Sequence, residues 1–383
     1  MIITQVIQNN SMEHRAPATP FYQRLSFILI TLTIICVALI FGRSIILPLL
    51  FGILLANVLL PVTKYLCNKN FYKPLTIIIP LLITMVVAGG IIFFISSQVI
   101  NFLDDMPALK QRFEEVSIAG QKWIRENTHM TIQKQNQYLS KGVENLKEQL
   151  PELLGATFSS LKGIVTYLFL VPIYTFLILY YRKTIKTFLI QTFRNGSEEK
   201  VREVLSESTD VAHHYIIGLL IETTIVFSLN LVGFFIIGIK YKVLLALIAA
   251  LLNLIPYLGI LTANIFCMLV TMVTSDNTTD ILWVGIALGI VQILDNNFGM
   301  PLIVGNKVRI NAMVTIIGVI VGGTLCGIPG MFIAIPGIAV MKIVFDKVPE
   351  LQPWGMLLGD ETQEKPARVS VRSKSKKTIL TTK

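Results

Sequence analysis

The chain is predicted to be an all-α polytopic membrane protein, and three observations predict it. Of its 383 residues, 53% are hydrophobic and only 15% charged, and the mean hydropathy is +0.68, too apolar for a chain that must cover its surface with polar groups. Apolar runs over 26–42, 45–60 and 75–95 almost lack charge, and such runs match a hydrocarbon core about 30 Å thick. The basic residues behind the net charge of +10 cluster in short loops beside apolar runs and in the tail. That is the positive-inside pattern, and it argues against a nucleic-acid partner.

Taken in order, residues 1–24 read as a polar cytoplasmic extension and 25–99 as three spans. The first two, about 25–42 and 45–60, are separated only by Gly42, Arg43 and Ser44, which predicts a tight antiparallel hairpin. Lys64, Lys69 and Lys73 place the following loop in the cytoplasm. Residues 100–152 alternate acids and bases with apolar residues at helical spacing (Met106, Leu109, Phe113, Val116, then Leu139, Val143, Leu146, Leu150), a soluble helical insertion on the periplasmic side. A fourth span lies within 153–181 and ends at Arg182 and Lys183. Residues 182–214 read as a cytoplasmic or interfacial helical segment with an N-cap at Ser197, and 346–383 as a basic cytoplasmic tail.

The transport core is expected over 215–345, with spans at 215–239 and 281–300. Residues 243–274 are apolar for about 32 residues, which as one helix would run about 48 Å. The run Asn253, Leu254, Ile255, Pro256, Tyr257, Leu258 and Gly259 sits near its middle; proline removes a donor and clashes with the preceding turn, and glycine permits unusual dihedrals. Residues 311–345 repeat the arrangement around Gly322, Gly323, Gly327, Pro329 and Gly330. Both stretches therefore read as re-entrant hairpins, which also puts Lys307 and Arg309 inside and the acidic loop 276–280 outside. Two span-plus-hairpin units of opposite sense form an inverted repeat, the layout that points to a substrate site near the midplane.

Asp295, at the end of an apolar run beside Asn296 and Asn297, is the first candidate for a substrate or ion pathway. It either binds a cation, shuttles a proton or hydrogen-bonds a solute, or it caps a helix at the water interface. Glu222 has the same double reading, Asn253 serves a solute or the broken backbone, and Gln292 extends the polar face one turn before Asn296. No HExxH, GxSxG or paired intramembrane aspartates are present, so no catalytic residue, metal site or cofactor is expected. Cys36, Cys67, Cys267 and Cys326 are too scattered for a metal or disulfide framework. His213 and His214 point to different helix faces.

The run 253–259, together with Asp295-Asn296-Asn297, Pro301-Leu302-Ile303-Val304-Gly305, Gly322-Gly323 and Gly327-Ile328-Pro329-Gly330-Met331, resembles the autoinducer-2 exporter family of bacterial permeases over nearly the whole chain. The resemblance implies an inner-membrane transporter with both termini cytoplasmic, moving small solutes that include a quorum-sensing signal. For some members it implies sodium or lithium exchange against protons. It also implies a homo-oligomer, with a pentamer the expected assembly, in which the hairpins move. One departure is Gly218-Leu219-Leu220-Ile221-Glu222, where many relatives carry a glutamine-containing segment. A passive channel lined by hairpins is the remaining alternative.

Overall fold

A computed structural model describes residues 21–127, 161–193, 198–255, 258–299 and 310–359. Every regular element among them is helical, and five helices are long and apolar enough to cross a membrane, or six if one bent pair counts as a span. The order is α1 (Phe21–Asn68), α2 (Lys73–Asp104), α3 (Met106–Asn127), α4 (Leu161–Tyr180), α5 (Arg182–Thr192), α6 (Glu198–Ile237), α7 (Lys242–Asn253), α8 (Leu258–Thr274), α9 (Thr279–Leu294), α10 (Ala312–Lys347) and α11 (Gln352–Leu358).

Two boundaries differ from expectation. The first two spans are one continuous helix, α1, of 48 residues, about 72 Å long. Gly42, Arg43 and Ser44 are all tolerated inside a helix, and a single glycine costs only about 1 kcal/mol. Leaving backbone groups unpaired in lipid costs several kcal/mol each, so weak breakers do not break a helix there. An unbroken α1 also separates Phe21 from Asn68 by its full length, so a start on the same side as Asn68 does not follow. The second difference is at His213 and His214, where an interfacial helix was expected to give way to a span; α6 runs through without interruption for 40 residues. His213 Nδ1 lies 3.1 Å from the Asn57 carbonyl oxygen and ties α6 to α1. The element that does turn aside is α5, bent by 69° from α4, with Ile185, Phe188 and Phe193 exposed beside its basic residues. That composition suits the membrane interface.

The two largest buried clusters lie in different parts of the chain. Ala56, Leu59, Leu60, Ile77, Leu81 and Leu179 join α1, α2 and α4, and Thr175 Oγ1 reaches the Gly52 carbonyl at 3.3 Å where those backbones come closest. The second group joins α6 to α9 through Phe234, Leu245, Ala246, Ala249, Ala263, Cys267, Val284 and Leu288. Lipid removes the hydrophobic drive between helices, so close contact of small residues such as these alanines takes its place.

The stretch 242–274 folds back on itself. Cys267 Sγ approaches the Leu245 carbonyl oxygen at 3.7 Å, and a side chain at Gly259 would overlap the Leu252 carbonyl. Both ends lie together: Lys240 pairs with Asp105 at 2.8 Å, and Asp276 pairs with Arg112 of α3. Although α10 is long and apolar enough to count as one span, its contacts say otherwise. A Cβ on Gly318 would strike the side chain of Ile338, a residue about 30 Å away along a straight helix. The turn is Gly327, with φ 68° and ψ −156°, a conformation only glycine adopts freely. Pro329 then opens the second arm, where its missing N–H is harmless. Gly322, Gly323 and Gly330, expected as part of the break, instead remain helical and let the arms touch: a Cβ on Gly322 would overlap the Gly330 carbonyl. The ends of α10 again lie together, with the Asn311 amide donating to the Leu358 carbonyl at 2.9 Å and Lys347 on Glu203 at 2.6 Å.

The Asp105 carboxyl is held below the usual carboxylate range, first by its bond to the Lys240 ammonium and then by the Tyr241 hydroxyl, against a smaller upward push from desolvation. A depressed folded-state value contributes stability above the unfolded carboxylate value near 3.9 and loses it as pH falls through the folded one. The melting-temperature difference between wild type and Asp105→Asn is therefore expected to stay level from pH 7 down to about 5 and to close only below about pH 4. A difference already gone at pH 6 would mean that the pair does not form. A second expectation concerns the arms of α10: Gly322→Ala should destabilise by roughly 1–3 kcal/mol through overpacking. Gly337→Ala, whose Cβ would meet nothing within 4 Å, should be neutral or gain up to about 1 kcal/mol. Equal effects in thermal unfolding would contradict the folded-back arrangement.

Candidate functional site

The break in the first hairpin and the end of α9 meet at one carboxylate. α7 ends at Asn253, and Asn253 Nδ2 donates to Asp295 Oδ2 at 3.1 Å. Asp295 is the C-cap of α9 and begins a π-helical turn over Asp295–Gly299. A π turn inserts one residue into the helical register and re-aims a side chain, a distortion often kept at functional sites. Asp295 is only 7% exposed, which sets a buried acceptor against a half-buried donor.

These side chains line a small cavity of about 20 Å³ together with Asn230 of α6, Ala249, Asn264 of α8 and Gln292. A space that size admits one water-sized particle. One carboxylate and four carboxamides converge on it while the remaining wall is aliphatic. Such a set can bind a small polar or cationic particle through oxygen atoms, yet it lacks the nucleophile–base pair that bond-breaking chemistry needs. Among the described residues no three His, Cys, Asp or Glu side chains gather as a metal site.

The expected site residues divide. Asp295, Asn253 and Gln292 reach the cavity. Asn296 does not line it; its Oδ1 accepts from Gln292 Nε2 at 3.0 Å and braces that side chain. Asn297 is exposed and donates to the Ile293 carbonyl at 2.7 Å, so it serves the helix end. Glu222 is buried on α6, close enough to Asp295 for the two carboxylates to interact, but it does not line the cavity. Pro256 and Tyr257 lie outside the described residues, as do Lys307 and Arg309, the second half of the insertion and the tail beyond residue 359. Gly259, Gly322, Gly323, Gly327, Pro329 and Gly330 shape the hairpins rather than the cavity.

Two residues escaped the sequence reading, Asn230 and Asn264. The signal for Asn230 was present, since Glu222, Val226 and Asn230 follow one another at intervals of four on one face of an apolar helix. Asn264 carries no such mark; only the fold-back of α8 brings it beside Asn253.

Comparison with known proteins points to transport. The chain is 24% identical over 316 residues to "Putative transport protein YrrI" of Bacillus subtilis (strain 168), covering 79% of this chain and 86% of the relative. It is 24% identical over 319 residues to "Putative transport protein YueF" of the same organism, covering 80% and 85%. It is 25% identical over 324 residues to "Putative permease PerM" of Escherichia coli (strain K12), covering 82% and 90%. The model of the AI-2E family transporter matches residues 28–350. Over that span, which takes in the α1–α4 group, both folded-back segments and the Asp295 cavity, the chain belongs to the AI-2E transporter family.

Proposed function

We propose that this membrane transporter is a carrier of the bacterial inner membrane that moves a small polar solute, a quorum-sensing signal or related metabolite, through the region of Asp295. The observation that carries the reading is the Asn253–Asp295 hydrogen bond, which joins the tip of a folded-back segment to a buried carboxylate. In this reading 242–274 and 311–345 are re-entrant hairpins entering from opposite faces. Support comes from their ends: those of the first are tied to the α2–α3 corner, those of the second to the start of α6 and to α11. α3, exposed and amphipathic, belongs to the periplasmic insertion, and α1, α2 and α4 form a frame against which the hairpins move. Homo-oligomerisation, expected from the family resemblance, is part of the same proposal.

A second reading, exchange of sodium or lithium against protons, is favoured by one observation. The cavity of about 20 Å³ suits a single small ion in the conformation described, and a second buried carboxylate, Glu222, lies within electrostatic reach of Asp295. The readings differ on charge. If a neutral solute is carried, Asp295→Asn keeps an acceptor oxygen and retains part of the activity. If a titrating carboxylate is the mechanism, the same change removes it.

Purified protein in vesicles, assayed against a panel of polar solutes and monovalent cations with and without a pH gradient, is expected to show saturable flux. Asp295→Asn should lower that flux by roughly ten- to a hundredfold, the loss of one charge-assisted hydrogen bond, without lowering the melting temperature by more than a few degrees. Wild-type flux in the variant would remove Asp295 from the pathway, and unitary currents would make the protein a channel. The orientation has its own check: a cysteine at Asn277 should react with an impermeant reagent from the periplasm and one at Glu350 from the cytoplasm. Labelling of both from one face would end the hairpin reading.

A further inference from the structure

Asn230 stands about two turns before the end of α6, 2% exposed, and its Oδ1 is one of two buried side-chain atoms left without a hydrogen-bond partner among the described residues. The other, Ser208 Oγ, has a local remedy, because a helical serine hydroxyl can turn to donate to the carbonyl one turn back. The Asn230 oxygen has none. It only accepts, and in the interior of a helix every backbone N–H is already committed to the ladder. A buried acceptor left unpaired is costly, so its presence calls for a donor from outside the chain.

The oxygen belongs to a side chain that lines the same cavity as Asp295, Asn253 and Asn264. Asp295 has already taken the Asn253 N–H on one oxygen, and an ionised carboxylate keeps further lone pairs. The cavity therefore presents two sets of free acceptors around a space for one water-sized particle. We infer that Asn230 is a specificity-determining residue of the transport site. Its Oδ1 and the Asp295 carboxylate together hold a single small particle that brings positive charge or protic hydrogens to both oxygens, a monovalent cation of ammonium, lithium or sodium size. This rests on the reading of the cavity as the transport site, in the cation-carrying form given second above, and adds to it a residue. An apolar or anionic occupant would leave both oxygens unsatisfied. A large solute would need the cavity to open.

The test uses the full-length protein in detergent, melted in chloride salts of ammonium, lithium, sodium and potassium, with choline chloride holding ionic strength constant. At least one small cation is expected to raise the melting temperature saturably, by about a few degrees at concentrations far above its dissociation constant. Asn230→Leu should abolish that rise while melting in choline chloride no lower than wild type, since it removes an unpaired buried acceptor. An asparagine that merely supported the helix would behave in the opposite way, with a lower baseline and the salt response kept. Asn230→Asp restores two acceptors and should keep the response with a midpoint shifted at least about tenfold, and it decides the matter if the leucine variant does not fold. A response unchanged in either variant overturns the assignment. So does a wild-type protein indifferent to every cation; in that case a flux still lost in Asp295→Asn vesicles would show that the carrier reading survives while the cation inference fails.

Discussion

A bilayer offers no hydrogen bonds to a peptide group, and the rest of this structure follows from that constraint. Wherever the backbone leaves the helical ladder at depth, its freed amides and carbonyls must find partners in protein or trapped polar groups. Among the described residues the chain folds back after Asn253, which lies among other helices, and at Gly327, which is exposed at the tip of its segment. Asn253 and Leu254 lie among α6, α9 and the second arm of α10, with Leu254 packed beside Tyr215, Ile216 and Leu219. Polar side chains collect beside the first break, where Asn253 meets Asp295, and together they line one cavity.

The same constraint explains what could and could not be read from the amino acids. The helical fold class, the two interrupted stretches and the standing of Asp295 and Asn253 as polar residues set among apolar helices were legible, because long apolar runs, internal Pro and Gly, and isolated polar residues at depth have few physical meanings. The continuity of α1 through Gly42-Arg43-Ser44 and of α6 through His213-His214 was not. Charge and glycine mark boundaries well in water, where a frayed end is hydrated at little cost, but poorly where fraying leaves backbone groups bare. The second break was located in the right segment but spread too widely. Of the glycines in α10, only Gly327 bends the chain, and the rest bring two arms into contact. Conformational freedom and small size are both properties of glycine, and a sequence does not say which is in use.

Within the cavity, the division of labour among the polar residues is set by distance from the π turn. Asp295 is re-aimed inward at its start, Asn296 is left to brace Gln292 from outside, and Asn297 closes the helix. Three consecutive polar residues thus perform three different tasks. A reading by residue type treats them alike, whereas a rotation of about 100° per residue separates them.

The unbroken length of α6 has a mechanical meaning. Its first turns hold Glu203, which is joined to Lys347 at the base of α10; about 40 Å further along the rod stands Asn230, and its far end leads within a few residues to Lys240 and the root of the first folded-back segment. A helix resists twist far better than a loop would, so a small rotation at one end is delivered to the other almost undiminished. Had α6 been cut at the two histidines, the segments would be free to shift independently. As built, a single continuous helix runs from the anchor of one past the cavity to the anchor of the other.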